Sequence, residues 1–146
     1  MHWRLFNFKQ LSTYQLWQIY HARDQVFVAE EQIPYPDADP IDLRAEHLLG
    51  FNDRDDLVAY ARFFTVKSYV SFGRVLTIRA VRGRGYGAQL MKHLLQAIHQ
   101  SYPGKKIVIN LQADKTGFYQ KFGFHRSGAR FQIAGLDHVK MIQETN

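Results

Sequence analysis

No cysteine occurs in this chain, which excludes disulfides, thiolate metal sites and any cysteine nucleophile or acyl carrier. Long apolar runs are missing too, and the N-terminus (Met1-His2-Trp3-Arg4) has no signal-peptide core. A cytoplasmic protein that does not enter a membrane is the expectation. The seven histidines show no His-Glu-x-x-His or similar spacing, so no metal is expected. Proline is scarce, and three of the four lie between Ala29 and Pro40. Nor is there a long basic run. Despite a net charge of +6, nothing exceeds Lys105-Lys106, and such scattered bases argue against nucleic acid as a partner.

What remains is 146 residues, 46% of them apolar and 22% charged. That is enough for a single domain over 1–146 with a proper core. Charge is uneven along the chain. From Glu30 to Glu46 there are six acids and one base, net −5, so the remainder carries +11. Two surfaces of opposite sign suit an enzyme with one anionic and one cationic ligand. Ordinary solvated charge is the plainer alternative.

The stretch with most chemical content runs from Gly73 to Ile98. Val75 to Ile78 are strand formers, while Leu90, Met91, Leu94, Leu95 and Ile98 recur at helical spacing. Between them lie Arg82-Gly83-Arg84-Gly85-Tyr86-Gly87. Alternating glycines at a strand-to-helix junction let backbone amides converge in front of the helix, where its dipole attracts an anion. A phosphate or pyrophosphate is the simplest ligand. The loop lacks the Gly-Lys-Ser/Thr of a Walker A motif. Its G-x-G-x-G spacing also differs from the dinucleotide fingerprint, and Ile107 to Ile109 stand where that fingerprint wants an acid.

In chain order, Trp3 to Phe8 reads as a strand, and Ser12 or Thr13 caps a helix bearing Leu16, Ile19, Tyr20 and Val26-Phe27. Ala29 to Pro40 reads as an ordered loop, and Asp39-Pro40 starts a short helix over Ile41 to Glu46. Strands follow over His47 to Phe51, Leu57 to Val66 and Ser68 to Ile78, then the central helix up to Tyr102-Pro103-Gly104. Lys106 to Leu111 reads as a buried strand, Lys115 to Phe122 as a helix, and Phe124 to Ala134 and His138 to Ile142 as closing strands. The order predicts an α/β fold with a mixed sheet flanked by helices.

Arg82, Gly85 and Gly87 fit R-x-x-G-x-G, which resembles the acetyl-CoA pyrophosphate loop of the GNAT N-acetyltransferase superfamily. Gln112, Phe118, Tyr119 and Phe122-Gly123-Phe124 resemble its second block. Val26 to Tyr35, His47 to Gly50, Ala59 to Arg62 and Gly135 to Met141 are similar to an ElaA-like subgroup, with departures at Glu31 and Asp137. The resemblance implies the GNAT acyl-CoA N-acyltransferase fold. It implies an acetyl-CoA-dependent acyltransferase acting on a primary amine, expected to be cationic, with room left for a homodimer. Coenzyme contacts would come from Val75, Leu76 and Thr77, from Arg82, Gly83, Arg84, Gly85, Tyr86 and Gly87, and from Gln112 and Tyr119.

The chemistry then needs a base and an acid. A lysine-type amine titrates near ~10.4, so reaching its neutral form at pH 7 costs roughly 4–5 kcal/mol; an α-amine near ~7.8 costs only about 1. Glu30 and His47 are the candidates for the base, ahead of Glu31, while His138 reads as a strand histidine with a structural hydrogen bond. Tyr119 is the candidate acid, its phenol placed to protonate a departing thiolate. The acidic segment is read as attracting the acceptor amine, testable at Asp37 and Asp39. An acyl-CoA-binding regulatory module with little catalysis is the reading from another class.

Overall fold

Period-two patterning in the strand segments and period-3.6 patterning after Gly85 sort the chain into a sheet with helices on both faces. The computed structural model describes residues 1–144. Its strands are β1 His2–Asn7, β2 Glu46–Phe51, β3 Leu57–Val66, β4 Tyr69–Thr77, β5 Ile107–Gln112, β6 His125–Ile133 and β7 Leu136–Gln143. They form one sheet in the order β1-β2-β3-β4-β5-β7-β6, antiparallel throughout except between β4 and β5. Helices α1 Thr13–Arg23, α2 Tyr86–Ser101 and α3 Thr116–Gln120 complete the frame. No described helix is long and apolar enough to cross a membrane.

Helix α2 buries Leu90, Met91, Leu94 and Ile98 completely against one face of the sheet. There they meet Phe63, Val70, Ile107 and Met141, while Ala59 and Ala61 are small enough to let the helix lie close. Helix α1 covers the other face, setting Ile19 and Ala22 against Leu49, Tyr60 and Leu76.

Two boundaries differ from those read in the sequence. Helical backbone does not stop near Ala29 but continues from Asp24 to Glu30 in wider π-type turns, ending as Glu31 N–H donates to Val26 O at 2.9 Å. Burial of Val26 against the sheet holds those extra turns in register. The helix expected over Ile41 to Glu46 is a single tight turn, Pro40–Leu43, capped by Asp39. It is short because Glu46 already pairs with Phe63 across β2 and β3.

Candidate active site

Strands β4 and β5 share one rung, Val70 opposite Ile107, with Val70 N–H donating to Lys106 O at 3.0 Å. Beyond it they part, and Phe72 to Val75 face Ile109 to Gln112 across a cleft. The cause lies on the other edge of β4. Between the pairs Arg62–Gly73 and Tyr60–Leu76, β3 advances by two residues and β4 by three. The extra residue makes a bulge in which Arg74 holds φ at 52°, a left-handed conformation that costs a non-glycine residue of order 1–3 kcal/mol. The bulge also switches faces: Phe72 packs toward α2, whereas Leu76 packs toward α1. From Ser71 to Thr77 the edge of β4 that faces β5 has no strand partner among the described residues.

The chain leaves β4 and enters α2 through the glycine loop. Gly83 and Gly85 hold φ at 82° and 80°, which side-chain-bearing residues rarely adopt. Gly85 is the residue that caps α2, and no side chain closes that helix end. The first amides of α2 are therefore open toward the loop, with the exposed Arg84 beside them. Arg82 points elsewhere. It donates to Thr77 O at 2.9 and 3.1 Å and pairs with Glu30 at 2.5 Å.

Two hollows flank the parted strands. A groove runs past Val75, Leu76 and Thr77, then Gly87 and Leu90 of α2, then Phe118 and Tyr119 of α3. An inner cleft lies between β4 and β5, walled by Phe27, Ile33 and Tyr35 from the segment after α1. Val75, Lys115 and Tyr119 line both hollows. Burial, with a smaller contribution from the Glu31 carboxylate, pushes the Tyr119 phenol up to about 12, so it keeps its proton at neutral pH. Its ring is held by Phe72, Phe118 and Phe124, and its hydroxyl bonds to no described residue. Gln112, expected among the coenzyme contacts, lines the inner cleft. Glu31 does so too, paired with Lys115 at 3.0 Å, while Glu30 stays by the glycine loop.

Beneath the cleft lies a cluster of three arginines and three aspartates. Arg23, wholly buried, holds Asp37 and Asp42 at 2.7 Å each. Arg62 grips Asp39 through both amino groups, at 2.6 and 2.8 Å, and reaches Asp42 at 2.7 Å. Arg74, the bulge residue, pairs with Asp37 at 2.9 Å. Burial alone would raise the Asp42 carboxyl, but Arg23 and Arg62 outweigh it and hold it near about 2. With Glu30 on Arg82 and Glu31 on Lys115, five of the six acids in this segment have cationic partners. The expected acidic surface is therefore largely neutralised. Asp37 and Asp39 pin the proline-rich segment and the bulge, which sets one wall of the cleft.

His47 belongs to this buried cluster and not to the cleft. Its Nε2 lies 2.9 Å from Asp42 O, which can only accept, so Nε2 carries the hydrogen; Nδ1 then accepts from Tyr60 OH at 2.7 Å. Burial depresses its basicity further, and with both nitrogens engaged it cannot serve as the base expected of it. Reading the sequence missed Arg74 and undervalued His138, which lines the cleft from β7. Gly73 was the available signal for the bulge, since a glycine inside a strand often marks one.

Among the described residues no three His, Asp or Glu side chains gather as a metal site. A family model for the acetyltransferase (GNAT) domain matches residues 12–145. The chain belongs to the GNAT family. Similar chains span nearly its whole length. The UPF0039 protein sll0451 of Synechocystis is 37% identical over 145 residues, 97% of this chain and 94% of that protein. Protein ElaA of Escherichia coli is 35% identical over 147 residues, 97% of this chain and 95% of that protein. The ElaA crystal structure superposes with a TM-score of 0.89 over 98% of this chain and 99% of that one. An acyl-CoA N-acyltransferase from Pseudomonas aeruginosa reaches 0.90 at 28% identity, covering 97% and 98%. Both the ElaA-like resemblance and the mixed-sheet GNAT fold read from the sequence are borne out.

Proposed function

We propose that this GNAT domain transfers an acetyl group from acetyl-CoA to a primary amine by direct attack, without a covalent enzyme intermediate. The observation that carries this reading is the position of Tyr119 on the wall common to the groove and the inner cleft. A donor lying in the groove and an acceptor lying in the cleft would meet beside its phenol.

The residues suit such a donor. Open amides at the start of α2, with Gly83, Gly85 and Gly87, offer donors to a pyrophosphate, and Arg84 adds charge. The unpartnered edge of β4 over Val75, Leu76 and Thr77 offers main-chain groups to the pantetheine amides and to the thioester oxygen as it gains charge. Tyr119 serves the sulfur. A phenol near 12 facing a thiol of ~8.5 makes full proton transfer uphill by roughly 3.5 units, about 5 kcal/mol. Its contribution is therefore a hydrogen bond that strengthens as the thiolate forms, with the proton following as the amine's own proton is released. Phe27, Ile33 and Tyr35 offer apolar surface to the acceptor's body.

Calorimetry with acetyl-CoA, followed by thiol release with a panel of primary amines, tests this directly. Heat on binding and amine-dependent thiol release are expected. Absence of either would overturn the reading; binding without amine-dependent release would favour an acyl-CoA-sensing module.

A further inference from the structure

The carboxylates of the inner cleft are spoken for. Glu31 is paired with Lys115, and Asp37 with Arg23 and Arg74. Tyr35 and Tyr119 supply the phenols of the cleft, and that of Tyr119, pushed up by burial, keeps its proton at neutral pH. One basic group is left. His138 stands on β7 opposite Gln112 of β5, is only 4% exposed, and reaches the cleft with that remaining surface. Its Nδ1 lies 2.9 Å from Leu136 O. A carbonyl oxygen only accepts, so Nδ1 carries the hydrogen and the lone pair of the neutral ring sits on Nε2. Nε2 has no hydrogen-bond partner among the described residues, and it is not among their sealed, unsatisfied buried atoms. The Phe131 ring packs against the imidazole at 5.9 Å and keeps its plane in place. Its neighbour Asp137 is taken up by Gln132 and Arg130 and does not compete for Nε2.

His47 shows the contrast. It is equally buried, but both of its nitrogens are occupied, whereas His138 is tied at one nitrogen and left open at the other. A ring that lines the cleft, held in one tautomer with Nε2 left unbonded, is an arrangement suited to a general base.

We infer that Nε2 of His138, directly or through one water, takes the proton of the acceptor amine in the inner cleft. The inference rests on the acetyl-transfer reading above. The acceptor ammonium gives one proton to Nε2 and becomes nucleophilic. Its nitrogen bonds to the acetyl carbon, the carbon–sulfur bond breaks, and sulfur leaves with the electron pair. The second proton lost by nitrogen ends on sulfur by way of Tyr119, and the proton on His138 passes to solvent.

His138→Asn is the variant to use, because an asparagine amide can still donate to Leu136 O but offers no basic lone pair. Two probe amines are compared, Nα-acetyl-lysine methylamide and phenylalaninamide. Deprotonation is far harder for the lysine-type amine than for the α-amine. We expect kcat/KM at pH 7 to fall at least a hundredfold for the lysine probe and less than tenfold for the α-amine, with loss of the acid limb of the wild-type pH profile. Equal losses for both probes, or no loss, overturn the inference, since a structural defect would not distinguish amines by basicity. Nitrogen-15 histidine spectra of the wild-type protein guard against a variant that fails to fold. They should show His138 with hydrogen on Nδ1, and an Nε2–H tautomer also overturns it. Wild-type protein that binds no acetyl-CoA, or releases no thiol with any amine, removes the acetyl-transfer reading and this inference with it.

Discussion

The buried ion cluster and the open groove treat polar groups in opposite ways. In the cluster, three arginines and three aspartates pair with one another. Along the groove, among the described residues, the β5-facing edge of β4 beyond Val70 has no strand partner, with only Thr77 O taken up by Arg82, and no side chain caps the first turn of α2. The two helix starts repeat the contrast. Ser12 and Gln15 close α1 with reciprocal bonds of 3.0 and 2.9 Å, whereas Gly85 leaves α2 open. Since an orphaned amide costs free energy, groups left open at the sheet's centre suit the donor of the proposed reaction, and groups closed on each other hold shape.

This division predicts that cluster variants damage stability and groove variants damage turnover. The largest effect should come from Arg23→Met, which removes one of the two arginine partners of both Asp37 and Asp42 in the interior. A loss of about 3–5 kcal/mol in urea unfolding is expected, with coenzyme heat retained wherever the protein is still folded. Loss of binding without loss of stability would break the contrast. Next comes pH. The Asp42 carboxyl sits near 2 when folded against ~3.9 unfolded, so it contributes about 2–3 kcal/mol above pH 4, and that contribution drains away as pH falls toward 2. Asp42→Asn should flatten the acid side of a stability–pH curve, whatever it does to stability at pH 7.

Smaller in energy is Tyr119→Phe. Turnover should drop at least tenfold, about 1.4 kcal/mol, with coenzyme affinity within twofold and stability nearly unchanged. Equal kcat values would remove Tyr119 from the chemistry. Smallest is Glu30→Gln, which releases Arg82 from its carboxylate. Acetyl-CoA should bind up to fivefold more tightly, within about 1 kcal/mol, and kcat should change less than threefold. A large fall in kcat would instead return Glu30 to the role of base.

Much of this was legible in the residues. Periodicity placed the strands and α2, and the glycine loop and the Tyr119 block stood at the spacing that groove and cleft require. What could not be read is set by partners far apart in the chain. Asp37, Asp39 and Asp42 look like a solvated acidic loop until Arg23, Arg62 and Arg74 are brought beside them. The bulge depends on a register shift against β3, and only Gly73 hinted at it. His47 and His138 are indistinguishable as letters, and their difference appears only when the acceptors around each ring are seen.

The lone Val70–Ile107 rung has one more implication. The spacing of the gap is set by that rung at one end, the bulge on β4 and the helix laid across both half-sheets, none of which belongs to the far wall formed by Phe27, Ile33 and Tyr35. Side chains on that wall can be exchanged while the frame keeps its width. On the acetyl-transfer reading, a scaffold built this way is retailored to new acceptors by substitution on that wall, without redrawing the backbone assigned to the donor.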